Sequence, residues 1–236
     1  MRHEVVKEFV KFIDENKINP KKVAVLGGNS TDPEFEALIA KFELEEYHFF
    51  DIQNPAAESN FTFTDINKVS TIQNFEKYFD LVLSSQVIEH IWNHRNYFDL
   101  IENLTKKDGF CWINCPTSNL VHGSPNYYSA GFTASYLEKN LNIRKFVTLG
   151  SGEIGNKRYY LGIHLARYWM TEKELKSPLF SYNFQPGTFL GVLRKFIREI
   201  PSRVLLMFFT NKSRGSNDFA TESFVGMKLL VGQEND

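Results

Sequence analysis

The residues able to do chemistry in this chain sit where apolar runs give way to polar ones. Glu89-His90 follows the segment Phe79-Asp80-Leu81-Val82-Leu83-Ser84-Ser85-Gln86-Val87-Ile88. Histidine titrates near neutrality and is the natural base for removing a proton from a hydroxyl. Asp51 closes the run Tyr47-His48-Phe49-Phe50-Asp51 and lies 24 residues after Gly27. An acid so placed after a glycine turn can accept hydrogen bonds from the two hydroxyls of a ribose. Asp65 closes a second run, residues 60–65, and can accept from an exocyclic amine while Ile66 packs on a purine face. Gly27 and Gly28 permit close approach of a ligand to the backbone, and the N–H groups of the helix that follows can meet a carboxylate. A polar, aromatic stretch at residues 117–133 holds His122, Asn126, Tyr127 and Tyr128.

Regular elements must bring these groups together. Val5, Val6, Phe9, Val10 and Ile13 recur at helical spacing, and Asn19-Pro20 ends that helix before the apolar run 22–28. Ser30, Thr31 or Asp32 can cap a second helix, with Pro33 at its first position and Glu34 at its positive end. Residues 47–51, 60–65, 80–85 and 110–115 read as further strands. A helical stretch through about Thr105 follows the fourth, with Phe98, Ile101 and Leu104 on one face. Lys107-Asp108-Gly109 turns into the fifth strand, which Pro116 stops. Five near-continuous apolar strands separated by helices or loops imply an α/β fold, a parallel sheet covered on both faces. Ligands of such sheets sit outside the carboxyl ends of the strands, where all the residues above fall.

Residues 132–140 read as a helix, 143–149 as a strand and 224–231 as a last strand. Residues 151–222 then form an insertion within a single domain spanning 1–236. The alternative places the last strand at 157–164 and makes the remainder a C-terminal extension.

The order of these features resembles the class I S-adenosylmethionine (SAM)-dependent methyltransferases, over about residues 20 to 150. The likeness rests on a glycine turn, an acid about 20 residues on, a second acid about 14 later, and the Phe79-Asp80 strand closing on Glu89-His90. It implies a Rossmann-like, mostly parallel seven-stranded sheet with helices on both faces and a helical insertion between the last two strands. It implies SAM as cofactor and S-adenosylhomocysteine as product. Gly27, Gly28 and Asn29 would line the methionine part, Asp51 and Ile52 the ribose, and Asp65 and Ile66 the adenine. Ser84, Ser85 and Gln86 would flank the sulfonium. His90 matches the family's Glu-His pair and would contact the acceptor as its base, and residues 122–133 are similar to a loop of a subgroup linked to glycan and small-metabolite modification, which makes His122 the other candidate base and Tyr128 an acceptor wall. The implied activity is methylation of a small-molecule or glycan hydroxyl. The likeness departs at Val25, where the family carries an acid, and at Asn29 and Thr31, where it carries glycines. A noncatalytic binding module of the same fold is the alternative. The spaced glycines of a nicotinamide site are missing from Gly27-Gly28-Asn29-Ser30-Thr31-Asp32.

Composition narrows the classes further. The formal charge of -1 offers no global attraction for nucleic acid. Residues 188–214 hold six basic residues and one acid beside apolar runs, a profile able to rest on its own domain, on a second copy or on an anionic membrane surface. Cys111 and Cys115, four apart in a strand, would lie roughly 13 Å apart, beyond disulfide reach. A reducing cytoplasm is the expected compartment. His90 and His94 share helical spacing, but the acid placement of a zinc-protease motif is missing, and no metal is expected.

Overall fold

The computed structural model describes residues 2–54, 57–118, 126–155, 160 and 220–230. The chain divides into two compact units, one of residues 1–153 with 222–236 and one of residues 154–221. Most of the second lies outside the described residues, as do the basic stretch 188–214, His122 and nearly all of the alternative strand 157–164.

The first unit alternates helix and strand: α1 (Arg2–Glu15), β1 (Lys22–Leu26), α2 (Pro33–Ile39), β2 (Glu46–Asp51), β3 (Phe61–Phe63), β4 (Phe79–Ser85), α3 (His94–Leu104), β5 (Thr105–Pro116), α4 (Ala134–Asn142), β6 (Phe146–Ile154) and β7 (Glu222–Leu229). The strands form one seven-stranded sheet in the order β3-β2-β1-β4-β5-β7-β6. Strands β1 to β5 pair in parallel, whereas β7 runs antiparallel to β5. The order reverses beside β1, so the carboxyl ends of β1 and β4 flank a crevice.

Period-two alternation divides the core. Ala24, Leu26, Phe50 and Val82 face α3 and α4, where Phe98, Leu100, Ile101, Leu104, Leu137 and Leu141 are buried with them. On the opposite face Phe35 of α2 meets Phe49 at 5.3 Å, and Phe9 of α1 meets Trp112 at the same ring separation. Trp112 stacks on Phe224 at 5.1 Å. Each large apolar side chain buried in this way contributes about 1.5–3 kcal/mol. Gly226 makes room for α1: a Cβ there would sit 2.5 Å from the Phe12 ring.

Several elements differ from the sequence expectation. Strand β3 is only three residues long and stops before Asp65, since an edge strand has a single partner to hold it. The Lys107-Asp108-Gly109 turn is a bulge inside β5, where pairing shifts between Phe79 and Leu81 and Asp108 takes φ 61°. The helix after β4 is interrupted. A 3₁₀ turn (Ile88–His90) precedes α3, whose start is fixed by the Asn93 side chain accepting from the Asn96 N–H.

Candidate active site

A cavity of about 490 Å³ opens at the carboxyl ends of β1, β2 and β4, a size suited to a small organic molecule. Gly27, Asp51 to Gln53 and residues 64–68 form one side. Gln86, Val87, His90 to Trp92, Asn126 and Tyr128 form the other.

Gly27 is required by its backbone. Its φ is 65°, its N–H donates to the Phe50 carbonyl at 2.8 Å, and a Cβ would lie 2.5 Å from a Val87 methyl. Gly28 and Asn29 do not line the cavity, contrary to expectation. The loop is satisfied internally: the Asn29 N–H donates to Asp32 Oδ2 at 3.1 Å, Ser30 N–H to Glu58 Oε1 at 3.0 Å, and Thr31 N–H to Asn29 Oδ1 at 2.9 Å. The amides of the loop ahead of α2 thus face the protein's own acceptors. Although Val25 supplies no acid, a carboxylate does reach the end of β4. Buried Glu34, from the first turn of α2, accepts from Ser85 Oγ at 2.9 Å.

Asp51 and Asp65 both reach the cavity in different states. Burial raises the Asp51 carboxyl above its ordinary value, opposed by the Gln53 N–H, which donates to Oδ1 at 3.2 Å, while nearby Asp32 adds to the rise. Two ribose hydroxyls would satisfy such an acid. Lys68, 2.9 Å away, holds the Asp65 carboxyl below its ordinary value, and the Asn67 N–H donates to it at 3.1 Å. The Lys68 side chain is 78% exposed. An exposed pair of this kind is worth little and yields readily to a ligand amine. Ile66 is buried behind Asp65, and Ile52 presents an exposed apolar surface on the same wall.

Among the described residues, His90 is the histidine that lines the cavity. Its Nδ1 lies 2.5 Å from the Asn126 carbonyl oxygen. Since a carbonyl only accepts, the proton of the neutral ring belongs on Nδ1, which leaves Nε2 as the basic atom. The preceding turn also anchors the facing loop, for the Glu89 carbonyl accepts from the N–H groups of Tyr128 at 2.9 Å and Ser129 at 3.3 Å. Tyr128 is half exposed at the cavity mouth. His94 is turned away, its Nδ1 2.9 Å from the Tyr136 hydroxyl.

The Glu89 side chain is fully buried, and neither of its oxygens meets a hydrogen-bond partner among the described residues. Burial pushes this carboxyl up to about 8, with Glu222 adding to the rise. His90 Nε2 lies 4.0 Å from this carboxyl.

Two further expected residues serve the scaffold. Ser84 Oγ accepts from the Tyr97 hydroxyl at 2.9 Å inside the core, and Ser85 Oγ bonds Glu34 and Asn114. Neither lines the cavity, because the alternation of β4 sends them to the two faces of the sheet. Gln86 does line it, at φ 59°. Its N–H donates to the Asn114 carbonyl at 2.8 Å. Its Nε2 donates to Asn114 Oδ1 at 2.8 Å and to Glu222 Oε2 at 2.7 Å. Burial pushes the Glu222 carboxyl up to about 7, against the pull of Gln86 and Asn114. Sequence reading missed Glu34, Asn114, Glu222 and Trp92. The visible signals were an acid heading an apolar strand at 222 and a solitary tryptophan just after Glu89-His90.

The fold has counterparts among solved structures. A candidate sarcosine dimethylglycine methyltransferase from Galdieria sulphuraria superposes with a TM-score of 0.58 at 10% identity, over 96% of this chain and 86% of that one. The fold is that of the class I SAM-dependent methyltransferases. Phosphoethanolamine N-methyltransferase 2 from Haemonchus contortus, in complex with phosphomonomethylethanolamine and S-adenosylhomocysteine, matches with a TM-score of 0.55 at 13% identity. That match covers 95% of this chain, which spans about half, 53%, of the other. The cyclase SpnF has the same fold, with a TM-score of 0.55 at 10% identity over 96% of this chain and 81% of its own. No family model and no curated protein matches the sequence. Among the described residues no helix is long and apolar enough to cross a membrane.

Proposed function

We propose that this protein is a SAM-dependent methyltransferase acting on a small-molecule acceptor, with S-adenosylhomocysteine as product. One observation carries the reading: a single cavity is lined by Gly27, Asp51, Asp65 with Ile66, Gln86 and His90, each at or just after the carboxyl end of a different strand or turn. Asp51 would hold the ribose diol, Asp65 the exocyclic amine, and Ile52 and Ile66 the purine faces. SAM supplies an already activated methyl group on its sulfonium. The chain's own contribution is alignment, water exclusion and a proton acceptor.

The acceptor atom we propose is a hydroxyl, on a small metabolite or a glycan. His90 Nε2 takes the hydroxyl proton as the oxygen lone pair forms the new C–O bond. The electrons of the broken C–S bond remain on sulfur. Tyr128 and Trp92 wall the mouth through which the acceptor enters, and His122, in the loop outside the described residues, is the second candidate base. The internally satisfied loop amides at Asn29 to Thr31 favour a second reading, a binding module of this fold without turnover. Residues 188–214 lie outside the described residues, and the whole chain is proposed to act as one methyltransferase domain.

Incubation with methyl-labelled SAM and pools of alcohols, amines and oligosaccharides distinguishes these readings. Label in an alcohol or saccharide, reduced in His90→Ala, is the expected result. Label only in amines contradicts the hydroxyl assignment. Tight S-adenosylhomocysteine binding with no transfer to any pool supports the binding module.

A further inference from the structure

Gln86 is held in a strained state by residues remote in sequence. A left-handed backbone at a residue other than glycine persists where the surroundings over-determine it. Here the N–H is bound to the Asn114 carbonyl, and both acceptors of the carboxamide nitrogen, Asn114 Oδ1 and Glu222 Oε2, are fixed. Asn114 is itself locked, its Nδ2 donating to the Ser223 carbonyl at 3.0 Å and to Glu222 Oε2 at 3.3 Å. Glu222 can reach this point because β7 runs antiparallel to β5, which pairs Glu222 with Pro116 and sets the start of β7 beside the carboxyl end of β5. Two oxygen acceptors determine which end of the amide is nitrogen. The remaining atom, Oε1, is the end of Gln86 left for the cavity that this residue lines.

We propose that Glu222 is a positioning residue for ligand binding: directly and through Asn114 it orients the Gln86 carboxamide so that Oε1 accepts a hydrogen bond from the α-ammonium of the bound cofactor. This inference rests on the methyltransferase reading. A cation suits the position, since Glu34 and Glu222 are both buried at this edge of the sheet. It also offers a role for the side chain of Gln86 where the loop amides after Gly28 are already engaged. Replacing Glu222 by an apolar residue would leave the Gln86 and Asn114 NH₂ groups with one acceptor each instead of two, and the Gln86 amide less firmly held.

The test compares two ligands on the full chain by calorimetry. S-adenosylhomocysteine carries the α-ammonium, whereas 5′-methylthioadenosine has the same nucleoside and sulfur without it. Glu222→Leu is expected to weaken S-adenosylhomocysteine on the order of tenfold, the scale of one hydrogen bond to a charged group, and to leave 5′-methylthioadenosine within about twofold. Gln86→Leu should reproduce this selective loss, and Glu222→Gln, which keeps an acceptor oxygen, should restore most of the affinity. Equal weakening of both ligands by Gln86→Leu marks a structural role and overturns the proposal, as does unchanged S-adenosylhomocysteine affinity in Gln86→Leu or in folded Glu222→Leu. If Glu222→Leu fails to fold, the two-ligand comparison on Gln86→Leu decides. Absence of binding by the wild-type protein overturns the methyltransferase reading itself, an outcome distinct from the others.

Discussion

Glu89→Gln should make the protein more stable, increasingly so as pH rises. The wild-type carboxyl is fully buried, lacks hydrogen-bond partners among the described residues, and titrates at about 8 when folded against 4.5 ordinarily. The folded state therefore keeps its proton to higher pH than the unfolded state. Between those values the folded state binds more protons, so stability falls as pH rises through the window and levels off above it. Each pH unit inside the window costs about 1.4 kcal/mol, so the whole span is worth on the order of 5 kcal/mol. That is comparable with the lower end of the total stability of a domain, about 5–15 kcal/mol. Glutamine mimics the protonated acid in shape and cannot ionise. The gain over wild type should be near zero at pH 4.5, about 2 kcal/mol at pH 6 and about 5 kcal/mol at pH 8.5. Glu222, raised to about 7 by burial, pulls in the same direction in both proteins and largely cancels in the difference. Urea denaturation followed by circular dichroism at pH 5, 6, 7 and 8.5 measures the two curves. Parallel curves would refute the argument, showing that Glu89 is solvated or neutralised by a cation in the folded protein.

Other outcomes follow from the cavity. Asp51→Ala should weaken S-adenosylhomocysteine binding by about 1–3 kcal/mol, the cost of leaving polar partners unpaired; unchanged affinity in calorimetry removes Asp51 from the ribose role. Gly27→Ala should destabilise the fold by about 1–3 kcal/mol through overpacking against Val87, with the left-handed backbone adding to that cost, and a urea midpoint equal to wild type contradicts the backbone geometry. Trp92 is exposed and lines the cavity and Trp112 is fully buried in the sheet, while the third tryptophan, Trp169, lies outside the described residues. Tryptophan emission should therefore change when S-adenosylhomocysteine binds, and most of that change should vanish in Trp92→Phe. An undiminished change places the responding indole elsewhere.

The sheet was legible because its central strands are short, continuous apolar runs ending on the polar residues that line the crevice. Asp51 ends β2, and Asp65 and Gln86 follow the ends of β3 and β4, so the parallel direction of these strands carries all three to the same end of the sheet. The alternation of β4 could not be phased in advance, and it removes Ser84 into contact with Tyr97 and Ser85 into contact with Glu34. The acids at 34 and 222 meet the end of β4 across 51 and 136 residues of sequence, counted from Ser85 and Gln86. Such pairings depend on the antiparallel return of β7 and on the way α2 enters the sheet edge. Local pattern carries no trace of either. The glycine loop illustrates the converse: its departures at Asn29 and Thr31 were visible in sequence, but their consequence, amides satisfied by Asp32 and Glu58, emerges only from the fold.

The cavity between Gly27, Asp51 and Gln86 is proposed to bind SAM and its product. Calorimetric titration of the wild-type protein with S-adenosylhomocysteine tests it most directly. Saturable one-to-one binding that Asp51→Ala weakens is the expected result. No heat of binding up to millimolar ligand, from a protein shown to be folded, would contradict it.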